Sequence, residues 1–251
     1  MRLLIDVGNT TTVIGVARQG RIVRRLEVKT EPEITVDRLW KSFSRLLGKP
    51  PLDQEFLVAS VVPAVSSLLQ GLEIDYPVKV RFLTPPWSAV TVKIKTASIG
   101  EVGADRVAAA EAVYQLYGGG FIVDYGTATT VEVVSPEGEY LGGTIMPGIG
   151  PAASGLSLAA AKLPQFTPRL PKEFGCDSTL SALQSGLFYG TAGAVKHLLG
   201  KLQEKFDLPA ALPVVGTGGR AGEFAKISNY MTEIEPDLVL KGLLFCENRL
   251  I

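Results

Sequence analysis

The sequence predicts an α/β fold built from two copies of one unit, and three observations carry the prediction. Leu3-Leu4-Ile5-Asp6-Val7-Gly8-Asn9-Thr10-Thr11-Thr12 and Phe121-Ile122-Val123-Asp124-Tyr125-Gly126-Thr127-Ala128-Thr129-Thr130 are both apolar strands ending in Asp-x-Gly and a run of hydroxyls. A second apolar run follows each, Val13 to Ala17 and Val131 to Val134, with a turn glycine fourteen residues past each aspartate, Gly20 and Gly138. A third run follows both turns, Ile22 to Val28 and Tyr140 to Ile145. Self-similarity at fixed offsets marks a duplicated strand, turn, strand, hairpin, strand unit. The halves are placed at residues 1–117 and 118–251, within the roughly 50–250 residues usual for a domain.

The remaining elements follow in order. Val36, Leu39, Trp40, Phe43, Leu46 and Leu47 fall at helical spacing, with Asp37 in the first turn and Gly48 then Pro50-Pro51 as the stop. Phe56 to Val62 and Val78 to Leu83 read as buried strands around a short helix, about 64–72, a βαβ rhythm. Pro85-Pro86 marks a break, and an alanine-rich helix from Gly103 to Tyr117 stops at Gly118-Gly119-Gly120. Gly142-Gly143-Thr144-Ile145-Met146-Pro147-Gly148 leads into an apolar helix through Ala161, and Pro164, Pro168 and Pro171 punctuate an extended connection. Asp177-Ser178 caps a long helix ending near Phe206. Val214-Val215 is a strand, Gly216-Thr217-Gly218-Gly219 a tight turn, and Ala221 to Ile227 and Leu238 to Asn248 are helices.

Composition removes whole classes of function. Lys+Arg and Asp+Glu balance at 25 each, so no long-range field recruits nucleic acid or an anionic membrane. No apolar run approaches the ~18 residues of a spanning helix. Cys176 and Cys246 lie far apart with no Cys-x-x-Cys pair, so reduced thiols and a cytoplasmic location are expected. His197 is the only histidine, which eliminates His-based triads and two-His zinc motifs. The chemistry is left to carboxylates, hydroxyls, Lys and Arg.

The repeated turn suits a polyphosphate. Glycine lets backbone approach a phosphate, while Asn9, Thr10, Thr127 and Thr129 offer side-chain donors. The aspartates make sense with a hydrated divalent cation between carboxylate and phosphate, as magnesium is usually held. One such turn reads as an ordinary hairpin; two at matched offsets read as a nucleotide clamp. Gly103-Ala104-Asp105-Arg106 opens a helix, where Asp105 is either a first-turn acid or a base whose pKa the helix N-terminus lowers. Val215-Gly216-Thr217-Gly218-Gly219-Arg220-Ala221-Gly222 lacks the sixth-position glycine of a dinucleotide fingerprint and is discounted as one. It either brings backbone close to an adenosine moiety or packs a helix on a sheet.

In this order and spacing, Asp6-Val7-Gly8-Asn9-Thr10, Gly103-Ala104-Asp105-Arg106, Asp124-Tyr125-Gly126-Thr127-Ala128-Thr129 and Gly142-Gly143-Thr144-Ile145-Met146-Pro147-Gly148 closely resemble type III pantothenate kinase along essentially the whole chain. The resemblance implies ATP-dependent phosphorylation of pantothenate to 4'-phosphopantothenate, the first step of coenzyme A biosynthesis. It also implies the duplicated actin-like fold of the acetate and sugar kinases, two similar halves each with a mixed sheet flanked by helices. By matching position, Asp6, Val7, Gly8, Asn9, Thr10, Thr11, Thr12, Val13 and Thr127 would contact ATP, with Asp6 holding magnesium, Mg2+, through water. Asp105 would be the base on the pantothenate hydroxyl, Gly103, Ala104, Asp105, Arg106 and Thr179 would line the pantothenate site, and Asp124 would bind a monovalent cation, K+ or NH4+. Family members are homodimers with the site near the subunit interface. The chain departs from many relatives at Lys95-Thr96-Ala97-Ser98-Ile99-Gly100, where an aromatic residue and an Asn-Pro pair are usual, and at Cys176, where a glycine is common. A nucleotide-gated interaction protein of the chaperone or actin kind would be expected to be longer, with appended binding segments, and a catalytically silent regulator on the same scaffold would be expected to have lost the base or a phosphate turn; Asp6, Asp105 and Asp124 are all present, which favours the kinase.

Overall fold

The first copy folds as an antiparallel meander, β1 (Arg2–Val7), β2 (Thr11–Arg18) and β3 (Arg21–Lys29), to which β4 (Glu55–Ser60) and β5 (Lys79–Phe82) add in parallel, in the order β3-β2-β1-β4-β5. The protein is represented by a computed structural model that describes residues 1–31, 35–48, 50, 52–160, 162–247 and 249–250. Two helices join these strands. Thr35 caps α1 (Val36–Leu47) by accepting from the Arg38 N–H, and Gly48, in the left-handed region at φ 72, ends it. Pro51, the last of the expected stop residues, lies outside the described residues. α2 (Pro63–Asp75) begins with proline in its first turn, where a missing N–H costs nothing. Phe43 of α1 meets Phe56 of β4 edge-on at 5.0 Å, and Trp40 stacks on Tyr76 at 3.7 Å. The fully buried Phe43 and Phe56 side chains each stabilise by about 1.5–3 kcal/mol, whereas Trp40 and Tyr76 are only partly buried.

The second copy repeats the topology strand for strand. β7 (Gly120–Tyr125), β8 (Ala128–Val134) and β9 (Glu139–Pro147) form the meander, β10 (Val214–Thr217) and β11 (Glu233–Ile234) add in parallel, and the order is β11-β10-β7-β8-β9. The duplication read from three strands therefore extends to five. Even the irregularities match: the register slips between Val16 and Ala17 in one copy and between Val133 and Val134 in the other. Between β9 and β10 run α4 (Ile149–Ala159) and α5 (Thr179–Lys205), the latter capped by Ser178 in a reciprocal box with Ser181. Phe188, Val195, Leu199 and Leu202 of α5 cover Phe121, Val123, Tyr125, Val131 and Val133 of the sheet. The short α6 (Ala221–Phe224) ends before the expected Ile227. Ala161 and Asn248, the expected ends of two helices, lie outside the described residues. Two-residue strands, β6 (Lys93–Ile94) and β11, and a 3-10 turn at Ile99–Glu101 were not legible, because such short pieces have no periodicity.

The compact units are Met1–Leu116 with Asp237–Ile251, and Tyr117–Pro236. The expected halves instead ran the second unit to residue 251. The difference is α7 (Leu238–Cys246), which packs on β1, β2 and β4. Gly15 is bare so that Leu240 can lie against it, and a side chain at Gly242 would fall on the Ala108 carbonyl of α3 (Ala104–Tyr117). With α1 and α2 on one face and α7 on the other, β1 and β4 are buried from both sides, which explains their near-continuous apolar runs. Among the described residues no helix is long and apolar enough to cross a membrane.

A buried carboxylate ties three segments of the first unit together. Glu111 of α3 is wholly buried and accepts from the Thr91 N–H (2.7 Å), the Val92 N–H (3.2 Å), Gln115 (3.1 Å) and Arg249 (2.8 Å). Buried ions persist only when paired and hydrogen-bonded. Arg249→Met removes the facing cation while the other donors stay. The expected loss is about 2–3 kcal/mol, read from the urea midpoint at constant m-value. An unchanged midpoint would show that the neutral donors suffice.

Candidate functional site

The first phosphate-type turn is carried by the strand pair β1 and β2. Register sets Asp6 opposite Val13 and Val7 opposite Thr12, while on the other side Asp6 faces Ala59 and Val7 faces Ser60 of β4. The Gly8 N–H donates to the Thr11 carbonyl at 3.0 Å, and the Val61 N–H to the Val7 carbonyl at 3.1 Å. Asn9 and Thr10 are exposed, as a ligand-facing turn requires. Thr12 is different: its side chain is buried and shares a hydrogen bond of 2.8 Å with Thr30.

Asp105 occupies the first turn of α3 at the same edge of the sheet. Its neighbour Gly103 lies beside Val61, which follows the end of β4, and a side chain on Gly103 would run into the Asp105 carboxylate and approach Val61 to 3.2 Å. Gly103 is thus glycine because Asp105 folds back over it. The Asp105 Oδ1 accepts from the Arg106 N–H at 2.8 Å. Sequence reasoning expected the helix terminus to lower this pKa. Burial instead pushes it above the ordinary 3.8, outweighing the Arg106 N–H bond and the Arg106 charge. The sequence shows which residue begins a helix, but not how much water reaches it.

In the second unit Asp124 is the penultimate residue of β7, opposite Thr130 of β8 and Thr217 of β10. Its carboxylate lies among glycines. A side chain on Gly126 would come within 3.3 Å of Oδ1, and one on Gly218 would collide with the same oxygen and stand 2.8 Å from the Tyr125 N and C atoms. Gly218 also has φ +83, so only glycine fits without strain. The Gly-Thr-Gly-Gly turn discounted as a dinucleotide site is therefore part of the Asp124 surroundings, a role visible only once β10 is paired with β7. Tyr125 is fixed next door by a 2.5 Å hydrogen bond with Tyr230 and by stacking on Phe224 at 4.0 Å. The Thr127 carbonyl accepts from the Gly148 N–H at 3.0 Å. Thr129, expected to offer a donor outward, is wholly buried, because strand alternation turns it to the core side with Val131 and Val133.

Thr179 is the first residue of α5 and exposed. It lines a groove of about 510 Å³ with Leu156, Leu163, Ala182, Leu183, Gly186 and Leu187. The structure thus brings Asp6 to Val13 and Gly103 to Arg106 to one sheet edge of the first unit. In the second it places Asp124, Thr127 and Gly218 close together, with Thr179 at the start of α5 in the groove beside Leu156. No group of three or more His, Cys, Asp or Glu that could enclose a metal occurs among the described residues. A single carboxylate such as Asp6 fits magnesium that takes its other ligands from water and phosphate oxygens, not a cage made only of protein.

The family model for type III pantothenate kinase matches residues 2–201. The type III pantothenate kinase of Parafrankia sp. (strain EAN1pec) is 36% identical over 244 residues, covering 97% of this chain and 96% of its own. Among solved structures, a Campylobacter jejuni protein assigned to the Baf family of transcriptional activators superposes with a TM-score of 0.64 at 20% identity, over 98% of both chains. A Sinorhizobium meliloti protein assigned as a 2-dehydro-3-deoxygalactonokinase gives 0.60 at 10% identity, over 99% of this chain and 98% of that one. At such identities the two structures speak for the fold alone, which is the duplicated actin-like fold of the sugar kinases.

Proposed function

The chain belongs to the type III pantothenate kinase family, a family of ATP-using kinases that phosphorylate pantothenate for coenzyme A synthesis, and from that premise we propose that Asp105 is its general base. The observation that carries the proposal is the half-buried Asp105 carboxylate, with its pKa raised by burial, at the sheet edge that also bears the Asp6 turn. The pantothenate hydroxyl oxygen forms a bond to the γ-phosphorus, the bond from that phosphorus to the β-phosphate oxygen breaks, and the hydroxyl proton passes to Asp105. The products are 4'-phosphopantothenate and ADP. Because phosphoryl transfer depends mainly on alignment and charge stabilisation, the base chiefly orients the hydroxyl and collects its proton. Gly103, Ala104 and Arg106 flank it, and the main chain from Asp6 to Val13, with Thr127 from the second turn, holds the ATP phosphates. Magnesium, when bound near Asp6, neutralises phosphate charge. Two free cysteines fit a cytoplasmic enzyme.

Asp105→Asn is expected to lower turnover by about 10²–10⁴-fold with a smaller change in ATP affinity. The wild-type kcat/KM falls as pH drops through the raised Asp105 pKa, because the protonated acid accepts nothing. The acid limb therefore lies above 3.8 and is absent from the residual activity of the Asn variant. Wild-type turnover in Asp105→Asn would remove the base assignment.

A monovalent cation, K+ or NH4+, beside Asp124 is the second part of the reading. Its support is the glycine-walled setting of a carboxylate next to a phosphate turn, where an added positive charge lessens repulsion between two anions. Activity is expected to collapse when potassium and ammonium are dialysed away and to return on adding KCl. Full turnover in their absence would dispose of the idea.

Homodimerisation through α5 is the third. Gly186, Gly190 and Gly193 are exposed and have open space above them, and Leu158, Leu156 and Leu180 stand exposed on α4 and α5. Obligate dimers bury on the order of 2,000 Å² or more. Light scattering at micromolar protein is expected to give twice the chain mass, and Gly190→Arg the single mass. An active wild-type monomer would contradict this.

A further inference from the structure

A residue outside every motif holds the back of the first turn. Thr30, just past β3, donates its hydroxyl proton to the Gly8 carbonyl at 2.7 Å. A threonine hydroxyl has one proton, so in the 2.8 Å bond with Thr12 the Thr30 oxygen accepts and Thr12 donates. The one Thr12 proton is thereby spent inside the protein. The Thr30 N–H donates to the Thr10 carbonyl at 2.9 Å. Since C=O and N–H of a trans peptide point opposite ways, holding the Gly8 and Thr10 carbonyls toward Thr30 turns the N–H groups of Asn9 and Thr11 away from it.

The second copy lacks this device. Gly148 stands twenty-four residues past Asp124, as Thr30 does past Asp6. Its N–H makes the matching bond to Thr127, but a side chain there would collide with the Gly126 and Thr127 carbonyls. Thr129, which sits opposite Tyr125 as Thr12 sits opposite Val7, has a buried hydroxyl with no hydrogen-bond partner among the described residues. The first turn is braced by a hydroxyl pair; in the second the position matching Thr30 is a glycine that contributes its main chain.

We propose that Thr30, acting through Thr12 and the Gly8 carbonyl, is the positioning residue that aims the first turn at the nucleotide phosphates, a role that rests on the reading of that turn as a phosphate site. The test uses the full chain with MgATP, MgADP and pantothenate. Thr30→Val keeps the shape and removes the hydroxyl; it is expected to raise KM for ATP and Kd for MgADP roughly three- to tenfold while KM for pantothenate stays put. Thr30→Ser should restore both nucleotide constants to within about twofold, and Thr12→Val, which removes the same pair from the other side, should resemble Thr30→Val and serves alone if Thr30→Val does not fold. Lower thermal stability with unchanged nucleotide constants would reduce Thr30 to a structural residue, and an equal loss for pantothenate would mean general distortion; either overturns the proposal. Asp6→Asn separates the two levels. If it weakens MgADP and Thr30→Val does not, the brace alone is wrong; if neither weakens MgADP, the phosphate-site reading fails and the brace falls with it.

Discussion

On the proposed reading of the first turn as a phosphate site, a turn that presents N–H groups to an anion has to give its carbonyl groups to something else, and the bonds around this turn meet that demand. Carbonyls left beside a polyphosphate would repel it, and carbonyls left buried without donors would each cost on the order of 1–3 kcal/mol. At the first turn the Val7, Gly8, Thr10 and Thr11 carbonyls are taken by Val61, Thr30, Thr30 and Gly8. These donors come from the turn itself just past β1, from the residue after β3 and from the segment after β4, so the meander and the parallel neighbour are both needed before the turn has a fixed shape. The sheet order is in that sense a requirement of the loop.

Duplication supplied two such turns, and the chain has since filled them differently. The backbone solution is shared down to the bond from the twenty-fourth residue past the aspartate and the slip in the third strand. Side chains then diverge. The first copy uses hydroxyls behind its turn, whereas the second uses glycines, which let Gly148 and Gly218 come up against main chain that a β-carbon would displace. Two versions of one geometry thus offer different surroundings to a carboxylate, Asp6 in one and Asp124 in the other.

What could be seen in the sequence was what local chemistry determines. The Asp-x-Gly turns, the Ser178 cap, the Gly48 stop and the helix expected from Gly103, which begins one residue later at Ala104, each depend on a few adjacent residues. What escaped depends on residues brought together by the sheet. The Gly216-Thr217-Gly218-Gly219 turn fails the dinucleotide pattern at Ala221, and that Gly218 leaves room for Asp124, a residue on another strand, shows only once the strands pair. Thr30 follows an ordinary edge strand, and only the meander returns it to Gly8. The pKa of Asp105 moved the other way from expectation because a helix terminus is a local feature and burial is not. An apolar helix such as α7 announces that it will be covered, without saying by which sheet.

That last helix has a consequence for the order of events during synthesis. The second unit is one continuous stretch, Tyr117–Pro236, and has all its residues once the ribosome has passed Pro236. The first unit, although begun earlier, still lacks α7 and Arg249 at that moment. Until they emerge, the face of β1, β2 and β4 that receives Leu240 is bare and the Glu111 carboxylate has no cation opposite it. The usual order, in which the N-terminal unit of a nascent chain has all its residues first, does not hold here: the unit begun first is the one completed last.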